Sequence, residues 1–338
     1  MCTGVCASLY GRLDLTTTIK KGSHFWSVHQ NTTGRLPVDQ SHARGVDMAS
    51  IHSVPWQNIS ELFVRALGRL AGGTLEGLKL AVLFYFFIYL FERASGGATK
   101  AYRSRRFLQD LAYWFYYHSG LNQILFLAAL FSFLGPRLAF LRIGIVSRLH
   151  PVPRAILWIL VADFTNYWVH RLQHASRFLW AFHSTHHAQE QLNFATTTRF
   201  HPVDHCISDI LKFIPQMMLG ASPMSWLPLY LVLEFVASTQ HSQIKWRLGM
   251  LSRILVTPWF HSFHHSTDAP HYNKNFGGLF SFWDRMFGTA VDATEQPREY
   301  GLTDVKMPTL MSTLVVPFRL LRSQPSSSES QNTQRSKR

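Results

Sequence analysis

Two short stretches of this 338-residue chain concentrate its histidines. Seven of the 18 lie between Asp163 and His205, and a second burst, HSFHHSTDAPH, runs from His261 to His271. Imidazole is the commonest metal-ligating side chain, so metal binding is the first chemistry these residues propose. Spacing strengthens the case. His170 and His174 are four apart and therefore share one face of a helix. His183, His186 and His187 stand at i, i+3 and i+4, His261, His264 and His265 repeat that spacing, and His201 and His205 add another i, i+4 pair. Each set can aim two or three nitrogens at one point. A single pair of this kind is often an adventitious metal trap; four sets within residues 170–265 argue for a built site.

The elements that must hold these sets read as membrane helices. Apolar residues make up 47% of the chain and aromatics 14%, with 26 Phe, and they are bunched into runs rather than spread at amphipathic spacing. The net charge of +14 does not form a nucleic-acid tract, because the basic residues flank the apolar runs instead. Arg93, Lys100, Arg103, Arg105 and Arg106 follow one run, and Arg137, Arg142, Arg148 and Arg154 separate two others, as expected beside anionic headgroups. Three cysteines, Cys2, Cys6 and Cys206, make no disulfide framework and none pairs beside a His set, which disfavours a thiolate zinc site and fits a reducing compartment.

Residues 1–55 are polar and lack sustained periodicity or a signal peptide, and are expected to be poorly ordered. Met48 precedes a more amphipathic stretch at 59–70, which leaves a later start open. Four regions are expected to span a bilayer: 75–91; 111–134, as one tilted span or a shallow hairpin ended by Pro136; 156–169, which carries Asp163 and runs into His170; and a two-helix hairpin built on the 21 uncharged residues between Lys212 and Glu234. The hairpin is a topological requirement. If the two His bursts are to meet, the chain between them must cross the membrane an even number of times or not at all. The predicted architecture is all-α: an integral membrane bundle of about four spans with a cytosolic helical cap, occupying residues 56–305. A C-terminal tail follows at 306–338, disordered from about 323, where the chain becomes serine-rich.

The ordered motifs D-F-x-x-Y-W-x-H-R-x-x-H (163–174), W-x-F-H-x-x-H-H (180–187) and F-H-x-x-H-H (260–265), with the closing N-F-G-x-x-x-x-x-W-D-R-x-F-G-T (275–289), resemble the fatty acid hydroxylase/sterol desaturase superfamily over roughly residues 75–300. That resemblance implies an integral membrane oxygenase with two irons held by histidines on the cytosolic side, in a bacterial inner membrane or the endoplasmic reticulum. Carried over position by position, it implies His170, His174, His183, His186, His187, His261, His264 and His265 as ligands, with His201, His205, His241 and His271 as additional or outer ligands. Gln243 stands where family members often carry Asn, and Asn273 where an Asp is frequent, which leaves the subfamily open.

The implied reaction is O2-dependent hydroxylation or desaturation of a membrane lipid of the sterol, fatty acyl or sphingoid class. An unactivated C–H bond resists acid–base chemistry, and zinc, which has no redox chemistry, cannot oxidise it; an all-nitrogen shell nonetheless binds zinc as well as iron, so isolated samples can carry zinc. Carboxylates that accept the remote ring N–H would orient the ligands, and Asp163 and Asp268, with Asp204 and Glu190, are the nearby acids. The chain shows no flavin or nicotinamide turn, haem-attachment motif or iron–sulfur spacing, so a separate electron donor is implied: a b-type cytochrome, or a ferredoxin, with its reductase. Two other readings compete. One is a pteridine-dependent ether-lipid monooxygenase with similar boxes; the other is a non-catalytic metal-binding membrane protein. Zinc proteolysis is disfavoured because the first box reads H-R-L-Q-H, without the Glu of H-E-x-x-H.

Overall fold

The structure, a computed structural model, describes residues 75, 77–96, 100–122, 128–220 and 227–323. The N-terminal segment 1–55, the stretch 59–70 and the serine-rich tail beyond 323 lie outside the described residues. Among the described residues the chain is helical without strands; its only β-type pairings are isolated antiparallel bridges, Leu255 with Phe280 and Ser266 with Tyr300.

Helix α1 (77–94) buries Ala81, Tyr85 and Ile88, one face at helical spacing, and leaves Phe86 and Phe87 more than half exposed on the other. Helix α2 (Arg105–His118) begins at Ser104, whose hydroxyl accepts from the Phe107 N–H at 3.1 Å. It ends at a turn before the short helix α3 (Ala128–Leu138), so the stretch 111–134 is broken rather than one continuous helix. Pro136 does not end α3. It lies inside the helix, which runs on to Leu138.

Helix α4 (Pro151–Ala175) starts on prolines and carries the first pair of boxed histidines. Ser176 then serves as both the end of α4 and the N-cap of α5 (Arg177–His187), fixing the angle between two helices that pack on each other. Helix α6 (Pro202–Met218), capped by the His201 ring and opened by Pro202, lies along α4, and α7 (Leu227–Gln240) returns toward the site. Together α6 and α7 occupy the expected hairpin, with residues 221–226 between them outside the described set. Two short helices, α8 (Pro258–Ser262) and α9 (Phe282–Met286), frame the second His burst. Helix α10 (Leu310–Arg322), closed by a Thr309–Ser312 capping box, packs on α5, so the beginning of the tail is folded onto the domain.

Among the described residues no helix is long and apolar enough to cross a membrane. The longest, α4, has 25 residues but carries Arg154, Asp163 and Arg171.

A buried polar clasp locks α2 to the end of α5. Arg199, fully buried, donates to Asp110 at 2.7 Å, to the Gln109 side chain at 3.0 Å and to the Thr185 carbonyl at 2.9 Å. The other Asp110 oxygen accepts from Gln189, Asn193 and Thr196 at 2.5, 2.8 and 3.0 Å. Every charge and amide there is satisfied, which is the condition under which a buried pair is tolerated. Asp110→Ala leaves a buried guanidinium without its counter-charge and is expected to lower stability by about 3–5 kcal/mol. Chemical denaturation of the purified protein reads this, and an unchanged midpoint would show that the clasp does not hold the domain.

Candidate metal centre

Nine histidines converge in two adjacent groups. His170, His174, His183, His187 and His264 form one; His186, His241, His261 and His265 form the other, and within each group one ring nitrogen per residue lies within 4.8 Å of the rest. The spacing was expected to aim each box at one point, and the structure divides the boxes instead. The i, i+4 pairs stay together: 170 with 174, 183 with 187, 261 with 265. His186 and His264, each three residues along from a box partner, cross to the other group. One helical turn rotates a side chain by nearly a full circle over four residues but leaves an i+3 neighbour offset. Two turns of helix thereby feed both groups, and the groups cannot separate without unwinding α5 or the segment after α8.

His241 directly follows α7 and completes the second group. His201, His205 and His271 join neither. His201 caps α6 and reaches the Leu314 carbonyl at 3.2 Å; His205 pairs with Asp209 at 3.0 Å and stacks on Tyr117; His271 meets Ser266 at 2.9 Å.

The outer contacts set the ring tautomers. His170 Nδ1 donates to the Phe276 carbonyl at 3.0 Å, His264 Nδ1 to Lys274 at 2.7 Å and His241 Nδ1 to Ala237 at 3.1 Å. His183 Nδ1 meets the Asp204 carboxylate at 3.0 Å. A proton committed to Nδ1 leaves a lone pair on Nε2, and these Nε2 atoms point inward. The buried Nε2 atoms of His170, His183 and His264 have no hydrogen-bond partner. Elsewhere Nε2 faces Nε2: His174 with His187 at 3.1 Å, His241 with His186 at 3.2 Å and with His261 at 3.1 Å. Where both facing nitrogens are unprotonated they repel one another, and a cation at each centre answers both that repulsion and the orphaned acceptors. The donor set therefore fits two metal ions, each in an all-nitrogen shell.

Electrostatics points the same way. Burial pushes His264 down to about 3 and His241 to about 4, and burial with neighbouring rings holds His186, His187, His261 and His265 well below the ordinary imidazole value. Neutral ligands are thus ready at physiological pH.

Of the acids anticipated from the sequence, Asp204 holds a ring. Asp163 does not; its carboxylate accepts from the Leu279 and Phe280 N–H groups at 2.6 and 3.0 Å and from Trp283 Nε1 at 3.0 Å. It ties α4 to the closing segment, from which Phe276 offers its carbonyl to His170. Asp268 approaches only His271, at 3.8 Å, and Glu190 pairs with Arg106 and Lys306. The acid that sequence reasoning missed is Asp284, which accepts from the Phe276 and Gly277 N–H groups, both at 2.8 Å. Its signal was present in the W-D-R triplet. Gly277 is required there because a Cβ would come within 2.7 Å of the Phe280 carbonyl and 2.9 Å of Asp284. Aromatic rings seal the centres: Phe276 lies edge-on to His174, Trp180 covers His174 and His187, and Phe200 lies flat on His186 at 4.5 Å. A cavity of about 420 Å³ between α4, α6 and α7 reaches His170, His183, His186, His241 and His261.

Residues 155–289 match the fatty acid hydroxylase family. The chain is 31% identical to the ornithine lipid hydroxylase OlsE of Rhizobium tropici over 49% of this chain and 50% of that protein. It is 34% identical to human alkylglycerol monooxygenase over 43% of this chain and 32% of that protein, and 27% identical to methylsterol monooxygenase 1-3 of Arabidopsis thaliana, over 42% and 50%. The chain thus spans half or less of the length of these relatives. No solved structure matches.

Two predictions follow from this geometry. His264→Ala and His265→Ala each remove a ligand from a different centre, and elemental analysis should find one tightly held metal lost in each; retention of both metals in both variants would contradict the assignment. Asp204→Asn, which weakens the hold on His183, should lower metal affinity by about 10–100-fold. In the metal-free protein the sign of the pH dependence is also set. Rings neutral in the fold take up protons near pH 6.5 once unfolded, so their contribution to stability is full above about pH 6.5 and is lost as pH falls through that value toward about 4 and 3. Melting temperatures of chelator-treated protein at about pH 7.5 and about pH 5.5 should therefore differ, with the acid value lower.

Proposed function

We propose that this chain, which carries the fatty acid hydroxylase domain of the fatty acid hydroxylase/sterol desaturase superfamily, is an O2-dependent di-iron lipid hydroxylase. The observation that carries this reading is the pair of all-histidine centres opening onto one cavity. Bound there, two irons would supply the redox chemistry that breaks an unactivated C–H bond. The ligands would be His170, His174, His183, His187 and His264 at one centre and His186, His241, His261 and His265 at the other.

The chain's own part is to position and to exclude. Asp204 and the Phe276, Lys274 and Ala237 carbonyls hold ring protons away from the centres, so the inward nitrogens remain acceptors. Phe200 and Phe276 keep water from the ring faces. The cavity admits a lipid segment past Trp158, Ile159 and Leu233 to the His face. A metal store would need no such channel. Hydroxylation is preferred over desaturation because the relatives reported above are named hydroxylases or monooxygenases.

Membrane embedding belongs to the same proposal. Large apolar side chains face outward at Phe86 and Phe87 on α1, at Phe133 and Phe140 around α3, and at Val152 and Ile156 on α4, a collar that lipid would cover. The flanking arginines would then meet headgroups and set the His centres on the cytosolic side. Electrons would come from a b-type cytochrome or a ferredoxin. The similarity to alkylglycerol monooxygenase favours one second reading, a reduced pteridine as donor.

Comparative lipid mass spectrometry on cells expressing the wild-type chain or His264→Ala tests the proposal. A lipid species with one added oxygen, present only with the wild type, is expected. Identical lipid profiles, with iron and an electron donor confirmed present, would refute it. Supplying reduced pteridine or the protein carriers separately to purified enzyme decides between the donors.

A further inference from the structure

The first histidine group is the one nearer the surface. His170 and His174 within it are partly exposed, whereas all four members of the second group are buried. His170 faces the cavity, but His174 does not line it, and neither does Trp180, whose indole is also partly exposed. Their exposed edges therefore open onto a surface that the lipid route does not use. Trp180 lies against three rings of the group, with centroids 4.8 Å from His174, 5.2 Å from His187 and 6.3 Å from His183.

Cations ring this window. Arg177 precedes Trp180 by three residues on α5 and so adjoins it on the helix surface; it donates to the carbonyls of Leu320 and Leu321 at the end of α10. Asn273 hydrogen-bonds the His174 ring, and Lys274 follows it, its ammonium reaching the Gly288 carbonyl at 3.4 Å. Arg171, three residues before His174 on α4, donates to the Tyr167 hydroxyl at 3.2 Å, and that hydroxyl meets Thr289, next to Gly288. All three cations thus contact uncharged oxygens. Asp268, at the head of the loop that carries Lys274, lies beside its own His271 at 3.8 Å. The window is also far from the apolar collar: at 1.5 Å per residue, His174 stands roughly 30 Å along α4 from Val152. A protein outside the bilayer can reach it there.

We propose that this surface, centred on Trp180 and ringed by Arg171, Arg177 and Lys274, is the docking site of an acidic one-electron carrier protein, and that Trp180 is the group through which the electron reaches the first histidine centre. The inference rests on the di-iron reading and adds to it the place where the donor binds. Each encounter transfers one electron: the haem or cluster iron of the carrier is oxidised, one ferric ion held by the histidines becomes ferrous, and no bond or proton moves. Opposite surface charge steers such a partner and sets its salt dependence, while the indole bridges the space between the docked carrier and the ligand rings.

Two probes test this on purified, iron-loaded protein: the reduced soluble haem domain of a b-type cytochrome and a reduced two-iron ferredoxin. Equilibrium binding is measured at low and high salt, and oxidation of the bound carrier is followed by its own absorbance, anaerobically and without lipid. Lys274→Glu and Arg177→Glu should each weaken binding of the preferred carrier about tenfold or more, whereas Arg148→Glu, before the far end of α4, should leave it unchanged. Trp180→Leu should bind the carrier as wild type does and lose most of the oxidation rate at saturation, with Trp180→Phe restoring part of it. Phe318→Leu controls for another path, because Phe318 is exposed and touches Phe182, the neighbour of His183; it should change neither quantity. Dithionite should reduce the irons of every variant alike. Binding of neither probe, equal weakening by Arg148→Glu, or an unchanged oxidation rate in Trp180→Leu would overturn the assignment. Iron lost from Trp180→Leu would overturn it too, marking Trp180 as a packing residue. A carrier oxidised normally while no lipid gains oxygen would instead mark failure of the hydroxylase reading.

Discussion

The structure is organised by one constraint: nine imidazoles must be brought together in the interior with ring nitrogens turned toward two adjacent centres. Neutral rings in that arrangement gain nothing from one another, since facing acceptors repel and unpaired buried nitrogens have lost water. Four of the rings are held from outside. Carbonyls of Phe276, Lys274 and Ala237 and the carboxylate of Asp204 take the Nδ1 protons. Those holders are themselves held: Asp284 grips the Phe276 and Gly277 amides, Asp163 grips the next turn, and Gln173 donates to Asp204 at 2.6 Å. The rigidity needed for a metal centre is thus distributed over three layers of hydrogen bonds.

The same constraint explains the helix layout. The five-residue α8 is buried at Pro258, Phe260, His261 and Ser262, and it places His261 one turn from His265. Helix α5 is buried from Ala181 to His187, including all three of its histidines, and the Arg199–Asp110 clasp secures its C-terminal end against α2. Helices α4, α6 and α7 leave a gap between them instead of closing on apolar contacts, and that gap reaches His170, His183, His186, His241 and His261.

Much of the site was legible in the chain because i, i+4 spacing is a geometric statement: on any helix, His170 and His174 or His183 and His187 must share a face. What spacing could not carry is which rings from different helices meet. The crossing of His186 and His264 depends on the angles between α4, α5 and α8, and the entry of His241 depends on where α7 ends. Asp163 stands in an apolar run, but its partners lie 116 residues and more along the chain and no local pattern reveals them. The stretch 111–134 reads equally as one tilted span or a shallow hairpin, and the turn after α2 removes the single-helix reading. Lys212 read only as the border of an uncharged stretch, because a residue facing a cavity is recognisable as such only once the cavity exists.

The central claim is that two metal ions sit in two all-histidine shells. Anomalous diffraction from iron-loaded crystals, collected on both sides of the iron absorption edge, would measure this. Two peaks are predicted, one enclosed by His170, His174, His183, His187 and His264 and one by His186, His241, His261 and His265. A single peak shared by both groups, or peaks at His201, His205 or His271, would contradict it.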